Sequence, residues 1–154
     1  GHAVILTKTN LKNPRPFLRR KLRESKLPII QSTFEPSISS LSPETPKNIE
    51  KRKVFIVSAI GDAVGFNKTV KKMGCFIVGE KIFPDHFNYS QASWKNVEAL
   101  STGADYIITT EKDWVKIESF SISKPIIVIE INVKISPKGR LENLLKDYCG
   151  IHYS

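Results

Sequence analysis

Two short polar clusters hold the side chains of this chain that could do chemistry: Phe83-Pro84-Asp85-His86 and Thr110-Glu111-Lys112-Asp113. Each comes directly after an apolar, β-branched run of the kind that is typical of a strand. In open α/β sheets, ligands bind where strands end and loops begin. The sequence therefore predicts that both clusters lie at the edge of a sheet where an α/β protein keeps its chemistry.

The first cluster pairs a carboxylate with an imidazole. Histidine has an ordinary pKa of about 6.5, so Asp85 and His86 could orient an acid–base group or steady a neighbouring catalytic carboxylate. The pair is also what a polar turn after Pro84 would contain, and a single Asp-His dipeptide does not decide between the two. His2 and His152 lie near the chain ends, which leaves His86 as the histidine placed for chemistry.

The second cluster matches the helix-capping pattern [ST]-x-x-[DE], in which Thr110 would satisfy free amides at a helix start. Asp113 would also suit the positive end of the helix dipole. In the functional interpretation, Glu111 and Lys112 belong to a charged loop at a strand end, and Lys112 is available to an anionic ligand. The pattern favours the cap and leaves the ligand-adjacent role open.

The 154 residues lack the motifs of self-sufficient enzymes. They contain no G-x-x-x-x-G-K-[ST] phosphate loop, no Asp-Asp pair suited to Mg²⁺, and no G-x-S-x-G or H-E-x-x-H motif. Gly61 follows a strand, but no dinucleotide fingerprint continues from it. Cys75 and Cys149 lie far apart, and no Cys/His cluster has zinc spacing. We therefore expect free thiols in a reducing compartment and no metal site within this chain.

The positive charge is concentrated in the first third of the chain. The net charge is +9; residues 1–53 hold 12 Lys/Arg and 4 Asp/Glu, whereas residues 54–154 hold 12 and 11. A basic face of this kind attracts phosphorylated ligands, acidic lipid headgroups or nucleic acid, although a solvated helix face explains it equally well. The arginines concerned are Arg15, Arg19, Arg20 and Arg23.

Strands and helices alternate along the sequence, which predicts an α/β fold with a largely parallel sheet and helices on both faces, a three-layer, Rossmann-like architecture. Strands are expected at 3–7 (buried), 27–33, 54–59, 75–78 with an extension at 81–83, 106–109 and 126–131. Helices are expected at about 14–24, 62–73, 90–101 and 110–120, and after the N-cap pair Ser136-Pro137. Three sets of side chains support these helices: Phe66, Val70 and Met73 at helical spacing, Trp94, Val97 and Leu100 on one helix face, and Leu141, Leu144, Leu145 and Tyr148 expected to point inward.

Composition divides the chain into three parts. Residues 1–36 are a strand-helix-strand segment, residues 37–52 a Ser/Pro-rich linker or long loop, and residues 53–154 an α/β domain, with one compact unit expected overall. No apolar run is long enough to span a bilayer, and the first residues lack the features of a secretory signal.

Taken in order, the motifs resemble the C-terminal part of the tetraacyldisaccharide 4′-kinases, the lipid A 4′-kinases. That family has an opening strand, a strand ending in a Gly turn, a helix with Phe followed by Gly, a Phe-x-Asp-His segment with a later aromatic residue, and Thr-Glu-Lys-Asp with a further Lys. The likeness covers nearly the whole chain, and its specificity comes from motif order. The matching residues are Ala3–Lys8, Val54–Gly61, Phe66, Gly74, Phe83–His86, Tyr89, Thr110–Asp113 and Lys116.

The resemblance implies an activity for the full-length protein. The family transfers the γ-phosphate of ATP to the 4′-hydroxyl of a lipid A disaccharide precursor, uses Mg²⁺, and works at the cytoplasmic face of the bacterial inner membrane. Its phosphate loop, Mg²⁺ ligands and principal catalytic carboxylate lie in an N-terminal domain outside these 154 residues. We therefore expect this chain to be inactive alone, with ATP and Mg²⁺ bound mainly by that other domain.

The resemblance also assigns roles to single residues. His86 matches a family histidine thought to pair with the catalytic carboxylate, and Asp85 matches its neighbour. The Glu111-Lys112-Asp113 segment matches a motif with a supporting role. Family members more often carry a second histidine where this chain has Phe87, which puts any role for that position in doubt.

The arginine-rich segment suggests one more contact and one rival interpretation. It could face inner-membrane lipid or the acceptor's 1-phosphate. The alternative is a non-enzymatic basic α/β module that binds polyanions, nucleic acid or a protein. The chain shows no aromatic-rich stacking motif, so nucleic acid is not the expected partner.

Overall fold

The computed structural model describes residues 3–9 and 14–149, in which strands and helices alternate as the sequence predicts. The elements are β1 (Val4–Leu6), α1 (Pro16–Glu24), β2 (Ile29–Ile38), β3 (Lys53–Ser58), α2 (Ala63–Lys71), β4 (Phe76–Ile82), α3 (Gln91–Leu100), β5 (Tyr106–Thr110), α4 (Glu111–Trp114), β6 (Ile126–Ser136) and α5 (Arg140–Cys149).

The strands form one sheet with the hydrogen-bonded order β1-β2-β6-β5-β3-β4. The pairs β1/β2, β3/β4, β3/β5 and β5/β6 are parallel. β2 and β6 run in opposite directions, since Ser37 bonds Glu130 whereas Ser39 bonds Val128. The sheet is therefore mixed and mostly parallel, which confirms the predicted α/β class.

The chain groups into two compact units, residues 36–131 and residues 1–35 with 132–154. We call the first the inner unit and the second the terminal unit, after their places in the sequence. The inner unit holds β3, α2, β4, α3, β5, α4 and the loop before β3, together with the end of β2 and the first half of β6. The division after residue 35 lies close to the boundary suggested by composition, but residues 132–154 group with the start of the chain.

Apolar residues on β3 alternate between two cores in the inner unit, because successive strand residues point to opposite faces. Val54 and Ile56 pack with Phe66 and Val70 of α2. Phe55 and Val57 pack on the other face with residues of α3, among them Trp94 and Val97. Burial on both faces explains the unbroken apolar run of β3 and confirms that helices cover both sides here.

Two predicted details of the inner unit are wrong. Leu100 was expected on one helix face with Trp94 and Val97, but it is about half exposed whereas those two are buried, because it is the final residue of α3. The helix expected over 110–120 is only the single turn of α4, and turns follow it. The segment 37–52, expected to be a Ser/Pro-rich linker or a long loop, contains the end of β2 and then a loop that packs against the unit, since Ser39, Ser42 and Ile49 are buried.

The terminal unit contains β1, α1 and α5. Pro16 occupies the first turn of α1, where its missing amide costs nothing. β1 was expected to be buried, yet Ile5 is more than half exposed, because β1 is the edge strand of the order and is only three residues long.

The end of β6 also differs from the expectation. Ser136 belongs to the strand rather than to a helix cap, and α5 begins at Arg140 after Gly139, whose φ of +78° does not fit a helix. Leu141, Leu144 and Leu145 are half-buried, and the side chain of Tyr148 lies outside the described part. Among the described helices, none is both long enough and apolar enough to cross a bilayer.

Candidate active site

Three loops meet at the carboxyl edge of the parallel strands in the inner unit. The loops follow β3, β4 and β5, which are hydrogen-bonded neighbours. Lys112 Nζ lies 3.3 Å from Asp85 Oδ1, although the two residues are 27 positions apart. Gly61 completes the group, since a Cβ added there would lie 3.6 Å from Asp85 Oδ2. The structure thus brings both polar clusters together where the sequence placed them, at the ends of strands.

Asp85 is held between a lysine and a histidine. The Lys112 hydrogen bond, aided by the positive charges of Lys112 and His86, holds the pKa of Asp85 below its ordinary value. His86 Nε2 lies 3.7 Å from Asp85 Oδ2, while the His86 side chain is 76% exposed. An ionised carboxylate therefore faces an imidazole that remains open to a group arriving from outside this unit.

The backbone of His86 has a strained conformation. Its φ is +61°, in the left-handed region that residues with a Cβ rarely adopt. Such a conformation costs on the order of 1–3 kcal/mol and persists only where other contacts hold it. One such contact is the His86 amide, which donates to Asp85 Oδ1 at 3.0 Å.

Aromatic side chains pack against one another within the loop that carries Asp85 and His86. The ring of Phe87, the residue that departs from the family pattern, stacks on Phe83 at 4.4 Å and meets Tyr89 edge-on at 5.3 Å. Lys116 Nζ donates to the Phe87 carbonyl at 3.0 Å. Phe87 therefore has a packing role that sequence reasoning missed, although the close spacing of three aromatic residues was a signal for it.

Asp113 forms half of the predicted capping box and a contact that the box does not predict. The Asp113 amide donates to Thr110 Oγ1 at 3.1 Å, which caps α4 as expected. The carboxylate accepts from the Ala59 amide at 2.9 Å and from the Thr110 hydroxyl at 2.9 Å. Because Asp113 is fully buried, it ties the end of β3 to the end of β5.

Glu111 makes a second long-range contact at this edge of the sheet, because its carboxylate accepts a hydrogen bond from the Ser39 hydroxyl. Ser39 opens the loop that follows β2 in the inner unit. Glu111 thus serves a structural contact, while Lys112 is the member of the second cluster that faces Asp85.

The four arginines predicted to meet anions lie in the terminal unit, on or just before α1. Arg19 Nε donates to the Pro14 carbonyl at 3.1 Å, and Arg20 lies 3.5 Å from Glu24 one helical turn away. Arg19 and Arg23 also line an open cavity of about 410 Å³ whose other walls are mainly aliphatic. All four side chains remain exposed.

The thiols and metal-binding residues give no redox or metal centre in the described ranges. Cys75 is a free, buried thiol, and burial raises its pKa, which makes it unreactive. The side chain of Cys149 is not among those that the structure describes. Across residues 3–9 and 14–149, no group of three or more His, Cys, Asp or Glu side chains could hold a metal ion. Within those ranges, no such group is therefore available to hold Mg²⁺.

Comparison with known proteins places the chain in a family. The family model described as tetraacyldisaccharide-1-P 4′-kinase matches residues 1–149. The tetraacyldisaccharide 4′-kinase of Rickettsia canadensis (strain McKiel) is 34% identical over 121 residues, covering 70% of this chain and 36% of that protein. The enzyme of Rickettsia bellii (strain OSU 85-389) is 36% identical over 112 residues, covering 71% and 34%. The chain thus spans about a third of the length of the curated relatives that it matches.

A solved structure shares the fold. The crystal structure of LpxK from Aquifex aeolicus, described as the "apo" form in complex with ATP, matches with a TM-score of 0.59 and 24% sequence identity, covering 96% of this chain and 42% of that one. At this identity the match concerns the fold alone. The family model, which spans nearly the whole chain, agrees with the order of motifs read from the sequence. The chain belongs to the tetraacyldisaccharide 4′-kinase family.

Proposed function

We propose that this chain is the C-terminal part of a kinase that transfers the γ-phosphate of ATP to the 4′-hydroxyl of a lipid A disaccharide precursor. The observation that carries the proposal is the Lys112–Asp85–His86 arrangement at the carboxyl edge of the sheet. The enzyme would act at the cytoplasmic face of the bacterial inner membrane. ATP and Mg²⁺ would be held mainly by residues outside this chain, which has no phosphate-loop motif.

In this proposal, His86 pairs with the catalytic carboxylate of the ATP-binding part and tunes it as a base. Asp85 orients the imidazole, and Lys112 keeps Asp85 ionised. Thr110, Glu111 and Asp113 hold the loops that carry them. Phosphoryl transfer depends mostly on positioning and charge stabilisation, so one orienting histidine on a second domain is a sufficient contribution.

The test is phosphate transfer from labelled ATP to the lipid precursor by the full-length protein that carries these residues. His86→Ala should lower kcat by roughly 10²–10⁴-fold, the usual contribution of an acid–base group. Lys95→Ala is the control, because Lys95 is exposed on α3 and should leave kcat unchanged. Full activity of His86→Ala would overturn the role of His86.

The purified 154-residue chain is the second arm of the same assay. It should transfer no phosphate, because its own motifs provide no cradle for the phosphates of ATP. Turnover by this chain alone would show that the division of labour proposed here is wrong.

We further propose that α1 contacts anionic lipid or the 1-phosphate of the acceptor. The helix presents Arg15, Arg19, Arg20 and Arg23 together with two exposed apolar side chains, Phe17 and Leu18. A surface that combines arginines with apolar side chains suits the boundary of headgroups and acyl chains. The runner-up is a non-enzymatic basic module that binds polyanions, nucleic acid or a protein. Its nucleic-acid form shares the charge but does not explain the apolar residues.

Replacing those four arginines with glutamine should weaken binding to phosphatidylglycerol-containing vesicles at low salt by roughly 100-fold or more, since each basic residue near the surface contributes about 1 kcal/mol. In the matched control, glutamine replaces Lys47, Lys51, Arg52 and Lys53, four basic residues that are also exposed. If both variants lose the same vesicle affinity, the binding depends on net charge and not on the position of the arginines. Unchanged binding would rule out the contact, and tighter binding to DNA than to vesicles would favour the runner-up.

A further inference from the structure

The loop that carries His86 is a tight turn with an unusual residue at its third position. The Phe87 amide donates to the Pro84 carbonyl at 3.1 Å, which closes a four-residue turn from Pro84 to Phe87. His86 stands third in that turn with a φ of +61°, and turns that need a positive φ there usually carry Gly or Asn. A residue with a larger side chain keeps such a conformation only where neighbouring contacts hold it.

Two lysines contact the residues on either side of His86. Lys112 Nζ lies 3.3 Å from Asp85 Oδ1, and Lys116 Nζ donates to the Phe87 carbonyl at 3.0 Å. The two lysines are four residues apart on one segment, which begins with α4 and continues in turns. The strained residue therefore has a charged contact to the side chain before it and another to the backbone after it.

The Lys116 contact restrains the backbone rather than a side chain. The Lys116 side chain is half-buried, and its ammonium group lies 5.9 Å from the centroid of the Tyr89 ring, within the range of a cation–π contact. A hydrogen bond from a charged donor is roughly twice as strong as a neutral one. Because a carbonyl is part of a planar peptide unit, this bond fixes the peptide that follows Phe87.

We propose that Lys116 is a positioning residue, which holds the backbone after His86 and thereby keeps the imidazole in the orientation that catalysis needs. The inference rests on the proposed function in taking His86 as the group that acts on the catalytic carboxylate. The rival role for Lys116 is that of a ligand-binding residue, whose ammonium group meets a phosphate. A positioning residue lowers kcat through His86 when it is lost, whereas loss of a ligand-binding residue raises KM.

The test is a double-mutant cycle in the kinase assay of the full-length protein. Lys116→Met keeps an unbranched side chain and removes the donor. It should lower kcat by roughly 10- to 100-fold, since a misplacement of about 1 Å costs about 10²-fold, and it should leave KM for ATP and for the lipid unchanged. In the His86→Ala background, Lys116→Met should lower kcat no further, because the group that it positions is already gone.

Lys124→Met is the matched control. Lys124 is also half-buried and also donates to a backbone carbonyl, that of Ser101 at the end of α3, so its loss should leave kcat unchanged. Equal losses of kcat from Lys116→Met in the wild-type and His86→Ala backgrounds would overturn the proposal. A raised KM with unchanged kcat would also overturn it, in favour of the ligand-binding role.

A second readout needs no substrate. The backbone chemical shifts of His86, measured by NMR in the full-length protein, report its positive φ; they should move in Lys116→Met and stay in place in Lys124→Met. Unmoved shifts in Lys116→Met would overturn the proposal even if kinase activity falls. Because these shifts do not depend on turnover, the positioning role and the kinase assignment can fail separately. If Lys116→Met does not fold, Lys116→Gln replaces it with the same expected results.

Discussion

Replacing Trp94 with alanine is expected to lower the free energy of unfolding by about 3–5 kcal/mol, the range for removing a large buried aromatic side chain. Trp94 is 0% exposed and is the largest of the fully buried side chains in the described ranges. It packs against β3 residues on one face of the sheet and meets the Tyr89 ring edge-on. The change should therefore weaken the core and also the packing of Tyr89, which follows the Asp85–His86 loop.

Urea denaturation followed by far-ultraviolet circular dichroism measures this loss. Val64→Ala, at an exposed apolar position on α2, is the control and should change stability by no more than about 0.5 kcal/mol. Because the total stability of a domain is about 5–15 kcal/mol, Trp94→Phe should be measured as well, and its loss should be smaller. A loss below about 1 kcal/mol for Trp94→Ala would contradict the assignment of Trp94 to the core.

Replacing Asp113 with alanine is the second large expected effect, at about 3 kcal/mol or more. The change would leave the Ala59 amide and the Thr110 hydroxyl without their acceptor in a buried environment. It would also remove the link that holds the end of β3 to the end of β5. Amide hydrogen exchange should therefore rise first at Ala59, before the rest of the unit opens.

Asp62→Ala provides the matched comparison for Asp113, because Asp62 is also an aspartate at a helix start. Its side chain accepts from the Gly65 amide at the start of α2, but the residue is exposed. Loss of such an N-cap costs about 1 kcal/mol. Similar losses for the two variants would mean that the Asp113 side chain contributes no more than an exposed helix cap does, and that the contact with Ala59 adds no stability.

The candidate site combines a buried carboxylate, which holds its loops together, with an exposed imidazole. Asp113 is buried below the carboxyl edge, whereas the His86 ring is directed into solvent at the end of a strained loop. This arrangement suits a group that completes its chemistry only when another part of the protein closes over it.

The sequence by itself determined the fold class and the family. The alternation of apolar runs with helical spacing predicts an α/β sheet because each period matches one kind of backbone. The order of the Phe-x-Asp-His and Thr-Glu-Lys-Asp segments identified the family, and the N-cap at Thr110 and the proline at Pro16 were also predicted. These features are local, so neighbouring residues are enough to specify them.

Only the tertiary structure decided which of those residues meet. Asp113 bonds Ala59 across 54 residues and Lys112 bonds Asp85 across 27, and neither contact follows from the local pattern around its members. The same holds for Ser136, where strand pairing overrode a good N-cap sequence, and for the opposed directions of β2 and β6. Long-range hydrogen bonds depend on which strands become neighbours in the sheet, and that choice is made by packing of the whole chain rather than by any one segment.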